Sequence, residues 1–191
     1  MTLTEHYLPG KDASLEHSIA TLHAKLATLD FHVEERSWLN PVEGVWSVHL
    51  RDHDCPLLFS NGKGASELAA RASALGEFFE RLSTNYFWTH FWLGDDIAGR
   101  AWAHTPDERW FPVDGDAWPA DLLTPELHAF YNPDGAVPAA SLVDLNTGNY
   151  ERGICAITYT RLADGAGVYF PVNLIGNLYV SNGMTAGKTL M

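Results

Sequence analysis

Asn61-Gly62-Lys63-Gly64-Ala65-Ser66, running into Glu67-Leu68-Ala69-Ala70-Arg71-Ala72-Ser73-Ala74-Leu75-Gly76-Glu77-Phe78-Phe79-Glu80-Arg81-Leu82-Ser83, is the stretch around which this chain is organised. It reads as a Gly-rich turn feeding an amphipathic helix. Leu68, Ala72, Leu75, Phe79 and Leu82 recur at steps of 4, 3, 4 and 3, the spacing of one helical stripe turned to a core, with Ser66 as the N-cap. Glu77 and Glu80, three apart, are then expected together on the opposite face. Two carboxylates so placed repel by about 0.2–0.5 kcal/mol on an exposed helix, a penalty that a bound cation removes. Magnesium is held by one or two carboxylates plus nucleotide phosphates, so the pair suits a metal-nucleotide site. A solvated helix face accounts for the same spacing, and both readings stand.

Towards the N-terminus, Leu15, Ile19, Leu22, Leu26 and Leu29 mark a second amphipathic helix over 13–29, capped by Asp12 or Ser14. Lys11 precedes its start and Ser18 lies in its first turns. A helix N-terminus offers free amides and partial positive charge, so the two residues are candidates to hold a phosphate, set against a surface lysine and a helix-face serine. Phe31–Val33, Val45–Leu50 and Pro56–Ser60 read as strands, the last two joined in a hairpin through Arg51-Asp52-His53-Asp54. His49, His53 and Cys55 form a loose ligand set, but the alternation over 45–50 makes His49 a strand residue first.

Towards the C-terminus, residues 86–92 read as a helix end with a packed aromatic cluster. Residues 94–140 lack periodicity and read as irregular structure pinned by Trp102, Trp110, Phe111 and Trp118. Strand signals return at Leu142–Leu145, Ala156–Thr160, Val168–Leu174 and Asn177–Val180, with turns at 146–149 and 164–167. The fold class expected is α+β, a mixed, largely antiparallel sheet packed by amphipathic helices. Gly183-Met184-Thr185-Ala186-Gly187-Lys188-Thr189 has three residues between its glycines where a P-loop needs four, so it is not read as one.

With 191 residues and 46% hydrophobic content the chain can bury a sizeable core. Its 24 acidic against 12 basic residues, a formal charge of -12, oppose attraction to a nucleic-acid backbone or an anionic membrane. The sequence holds neither a run of about 18 apolar residues nor a secretory leader, and a cytoplasmic location is expected. Cys55 and Cys155 form no Cys-x-x-Cys pair and read as buried thiols.

Gly62-Lys63-Gly64-Ala65, Ala74-Leu75-Gly76-Glu77 and Glu77-x-x-Glu80-Arg81 together resemble the first conserved helix of the YcaO family. The likeness continues through Pro9-Gly10-Lys11-Asp12, Ser37-Trp38-Leu39-Asn40-Pro41, Phe91-Trp92-Leu93-Gly94, Glu151-Arg152-Gly153-Ile154-Cys155 and 175–184, and is nearest to the free-standing bacterial branch. It implies Mg2+ and ATP as cofactors, with Glu77 and Glu80 as metal ligands and Lys11, Ser18 and Arg81 at the nucleotide. Arg81 is expected to orient the carboxylates rather than meet substrate. The resemblance divides the chain into a helix-and-hairpin region, 1–60, and the first part of a YcaO-like ATP-binding domain, 61–191. This would be an incomplete YcaO domain, ending before the family's second Glu-x-x-Glu-Arg helix. The implied chemistry is ATP-dependent activation of a peptide backbone amide, and the implied role an accessory one in β-methylthiolation of a small-subunit ribosomal protein. The implied partners are that substrate and a methylthiotransferase, with a homodimer in the full-length form. The alternative is a non-catalytic remnant that mediates dimerisation or partner binding.

Overall fold

The computed structural model describes residues 5–175 apart from 146 and 149. They fall into two compact units, 5–87 and 88–175, each with its own three-stranded antiparallel sheet. The class is α+β as expected, but the strands form two small sheets rather than one. Among the described residues no helix is long and apolar enough to cross a membrane.

In the first unit, α1 (Leu15–Thr28) precedes β1 (Val33–Val42), β2 (Val45–Asp52) and β3 (Phe59–Gly64), with sheet order β1-β2-β3. Ser14 caps α1 by accepting the His17 N–H at 3.2 Å, and Leu15, Leu22 and Leu26 bury its apolar stripe. Along β2 the alternation buries Val48, Leu50 and Asp52. The Asp52 carboxylate takes the N–H groups of His32 and Cys55 at 2.9 and 3.0 Å, tying the residue that leads into β1 to the turn that leaves β2. The hairpin between the second and third strands forms, but β3 begins at Phe59 and runs through Gly64. The Gly-rich segment expected as a turn is therefore mostly strand.

The helix α2 (Glu67–Ser83) starts at Ser66, whose hydroxyl accepts the Ala69 N–H at 3.2 Å. Its buried residues are Ala70, Ala74, Leu75, Phe78 and Leu82, so the expected stripe is corrected: Leu68, Ala72 and Phe79 are only half-buried. The reason lies in β3. A Cβ on Gly62 would collide with the Ala70 carbonyl and the Ala74 nitrogen, and one on Gly64 would lie 2.5 Å from the Ala70 nitrogen. Helix and strand meet backbone to backbone, and the buried face is centred on small residues that apolar periodicity does not register. The buried Ser60 hydroxyl adds a 2.8 Å bond to the Ala74 carbonyl across this seam.

The second unit contains α4 (Asp95–Ala98), β4 (Arg109–Phe111), α5 (Pro125–Tyr131), β5 (Ile154–Thr160) and β6 (Gly167–Pro171), after α3 (Tyr86–His90) at the junction. Its sheet order is β4-β5-β6, and its core is built on Phe111, Trp118, Leu122, Leu142 and Ile154. Residues 94–140 are thus less irregular than expected, since β4 and α5 lie within them. Trp118 is buried as an anchor, its indole N–H donating to the Val137 carbonyl at 2.8 Å. The strand expected at Leu142–Leu145 is instead the end of a 3-10 turn, Ala139–Leu142, followed by extended chain. Val168–Leu174 divides into β6 and a 3-10 turn, Val172–Leu174. The strand expected at Asn177–Val180 and the 183–189 segment lie outside the described residues.

Candidate functional site

Among the described residues the strand β3 is an edge strand, and its outer edge is met by two side chains from successive turns of α2. Arg81 donates through Nη1 to the Phe59 carbonyl and through Nη2 to Glu77 Oε1, both at 2.6 Å. Glu77 Oε2 accepts the Asn61 N–H at 3.4 Å. An Arg and a Glu thus satisfy one edge carbonyl and one edge amide, as a residue of a neighbouring strand would. The Arg81 guanidinium lies 5.4 Å from the Phe59 ring centre and 4.8 Å from that of Tyr86, which leaves it only 13% exposed against 32% for Glu77. Arg81 is therefore fixed on three sides, and Glu77 is fixed through it.

Glu80 is half-buried, about 60° around the helix from Glu77. Glu77 itself flanks the buried face, because that face is rotated toward β3, so the two carboxylates do not share a fully solvated surface. Each offers oxygen, the donor that magnesium takes, and one or two carboxylates suffice where water and phosphate complete the shell. Among the described residues, no group of three or more His, Cys, Asp or Glu side chains gathers to hold a metal. The pair fits magnesium chemistry, and not a zinc site with three or four protein ligands. His49 points to Asn61 Oδ1 at 2.9 Å and Cys55 is buried.

Lys11 is the last residue of the turn Leu8–Lys11, closed by its own N–H on the Leu8 carbonyl at 3.1 Å with Gly10 at φ +76°, and it is exposed. The Ser18 hydroxyl donates back to the Ser14 carbonyl at 2.9 Å. The amides invoked for a phosphate at the start of α1 are already taken. Leu15 N–H bonds the His6 carbonyl at 2.8 Å, His17 N–H bonds Ser14, and Glu16 brings a carboxylate to the same pole. That carboxylate binds the His6 backbone N–H at 3.0 Å and the His6 ring at 2.5 Å, which hold its pKa down to about 2. The chain's own carboxylate thus lies at the positive pole of the helix.

In the second unit a cleft of about 700 Å³ opens between α5, β5 and β6. Leu127, Tyr131, Tyr159, Val168, Phe170 and Leu174 line it, with Glu126 and Arg161 among the polar groups. Tyr131 and Tyr159 meet the Phe170 ring edge to face at 5.7 and 5.8 Å. Sequence reading missed this cleft, although Thr124-Pro125-Glu126, a cap followed by proline at the first helical position, signals the start of α5. It also missed the backbone groups of Phe59 and Asn61, which no residue type announces.

Residues 61–191 match the family model of the YcaO cyclodehydratases, described as ATP- and Mg2+-binding, and the chain belongs to that family. It is 56% identical over 188 residues, 98% of its length, to the ribosomal protein S12 methylthiotransferase accessory factor YcaO of Escherichia coli. It is 55% identical over 184 residues, 96% of its length, to an uncharacterized protein of Haemophilus influenzae. The chain spans about a third of the length of these curated relatives, 32% and 31%.

Proposed function

We propose that this chain carries part of a magnesium-nucleotide site for ATP-dependent activation of a peptide backbone amide. On this reading it acts in β-methylthiolation of a small-subunit ribosomal protein, alongside a methylthiotransferase, as a cytoplasmic protein that is a homodimer at full length. The observation that carries the reading is the Glu77–Arg81 pair held against β3, which presents a carboxylate at a fixed place beside the Gly-bearing strand. Glu77 and Glu80 hold the metal, Arg81 orients Glu77, and Lys11 and Ser18 contact the nucleotide. Bound magnesium and ATP supply the phosphoryl group and offset the negative charge that develops during transfer. Because the first amides of α1 are capped from within, the positive charge of Lys11, rather than the helix terminus, is what that end of α1 offers a phosphate.

Replacement of both carboxylates, Glu77→Gln with Glu80→Gln, is expected to abolish magnesium-dependent ATP binding measured by calorimetry while the circular dichroism spectrum is kept. Binding that survives the double replacement overturns the reading.

A second reading, a partner-binding module without catalysis, is favoured by one feature. Beside the cleft of the second unit Phe130 is 74% exposed, and Leu162, at the β5–β6 turn, is 97% exposed. Under this reading the unaltered chain binds no ATP, captures its partner, and loses that capture when Leu162 and Phe130 are replaced by Ser.

A further inference from the structure

We propose that Arg81 is a positioning residue that reserves one oxygen of Glu77 for a cation, and that a cation on that oxygen releases the Asn61 amide from the edge of β3. The inference rests on the reading of Glu77 as a metal ligand and adds which atom binds and what binding displaces.

The two oxygens of Glu77 are held unequally. Oε1 has a 2.6 Å charge-assisted bond from a guanidinium that is only 13% exposed, is bonded at 2.6 Å to the Phe59 carbonyl and is flanked by two aromatic rings. Oε2 has only the Asn61 N–H at 3.4 Å among the described residues, near the long limit of a hydrogen bond. A divalent cation competes for lone pairs, and the weaker contact yields first. Arg81 cannot follow, because Phe59 and Tyr86 fix it. The helix α2 is packed closely on β3 at Gly62 and Gly64 and tied to it by the Ser60 hydroxyl on the Ala74 carbonyl, so the Glu77 side chain is the part that moves most readily. The carboxylate therefore pivots about its Arg81 contact, Oε2 turns to the metal, and the Asn61 N–H loses its bond to Glu77. Metal occupancy is thereby read out on a strand edge. Partners that orient a ligand in this way are generally worth 10–100-fold in metal affinity.

The test is a titration of the isotope-labelled 191-residue chain with MgCl2, followed by NMR at the Asn61 amide and the Glu77 and Glu80 side-chain carboxyl carbons. The expected result is that the Glu77 carboxyl and the Asn61 amide titrate with one midpoint. In Arg81→Lys, which keeps the charge but cannot reach both Phe59 and Glu77, that midpoint is expected to rise about tenfold. A Glu77 carboxyl that titrates while the Asn61 amide stays unchanged overturns the inference and leaves the metal reading standing. No response at Glu77 or Glu80 overturns both. The titration of the unaltered chain decides between these outcomes even where Arg81→Lys does not fold.

Discussion

His104 Nε2 lies 3.0 Å from Asp144 Oδ2, forty residues on, with each side chain 1% exposed. The Thr147 hydroxyl donates to the same carboxylate oxygen at 2.7 Å, and the His104 ring packs against Trp88 at 5.3 Å. These side chains fasten the loop before β4 to the loop before β5. Asp144→Ala removes the carboxylate that the Thr147 hydroxyl and the His104 ring meet, and a loss of about 1–3 kcal/mol is expected, measured by urea unfolding followed by tryptophan fluorescence. A loss below about 1 kcal/mol would show that water replaces the carboxylate without cost.

Two glycines of the first unit should respond to alanine in opposite directions. Gly62→Ala places a methyl group into the Ala70 carbonyl and the Ala74 nitrogen, and since both are backbone no side-chain rotation relieves it. A destabilisation of about 3 kcal/mol or more is expected, at the upper end of overpacking costs. Gly76, inside α2, has open space where a Cβ would go, and Gly76→Ala should raise stability by about 0.5–1 kcal/mol. Thermal unfolding of the two variants beside the parent chain checks both signs.

The His6–Glu16 clasp at the start of α1 has a predictable pH dependence. The Glu16 carboxyl is depressed from 4.5 to about 2, chiefly by the His6 backbone N–H and then by the His6 ring. A group depressed in the folded state contributes above its ordinary pKa and loses that contribution as pH falls through its folded value. The stability difference between the parent and Glu16→Gln should therefore be full above about pH 4.5 and vanish near pH 2. A difference that is flat across this window would mean that the clasp does not form.

Neither thiol should react while the chain is folded. Burial first, and then the charges of Glu108 and Asp144, push the Cys155 thiol well above its usual range, and Cys55 is also buried. Iodoacetamide at pH 8 is expected to modify both residues only once denaturant is added, with intact mass as the readout. Modification of Cys155 in native buffer would contradict the packing around β5.

Much of this was legible in the residues, unevenly and for physical reasons. Ser14 and Ser66 announced their helices because a cap is a local hydrogen bond, and 45–50 announced a strand because one face is buried and the other is not. Most of β1 was not legible. Its residues from Glu35 onward are largely exposed and include Pro41, which an edge strand tolerates, so no alternation marks them. The face of α2 was misjudged because Ala70 and Ala74 gain burial from the absence of side chains on Gly62 and Gly64, a contact without an apolar signal. Glu77, Glu80 and Arg81 stood out by spacing and resemblance. That Arg81 would grip a strand carbonyl was beyond both, since only the fold brings Phe59 beside it.

The backbone seam between α2 and β3 also sets a clock. At Gly62 and Gly64 helix and strand meet with no side chain on the strand to repack, and the motion available to the acidic pair is rotation about the carbon–carbon bonds of Glu77 itself. Such rotations take picoseconds to nanoseconds, whereas sliding or hinging of whole elements takes microseconds to milliseconds. On the proposed magnesium reading, this corner of the molecule answers an arriving ion at the pace of a single side chain.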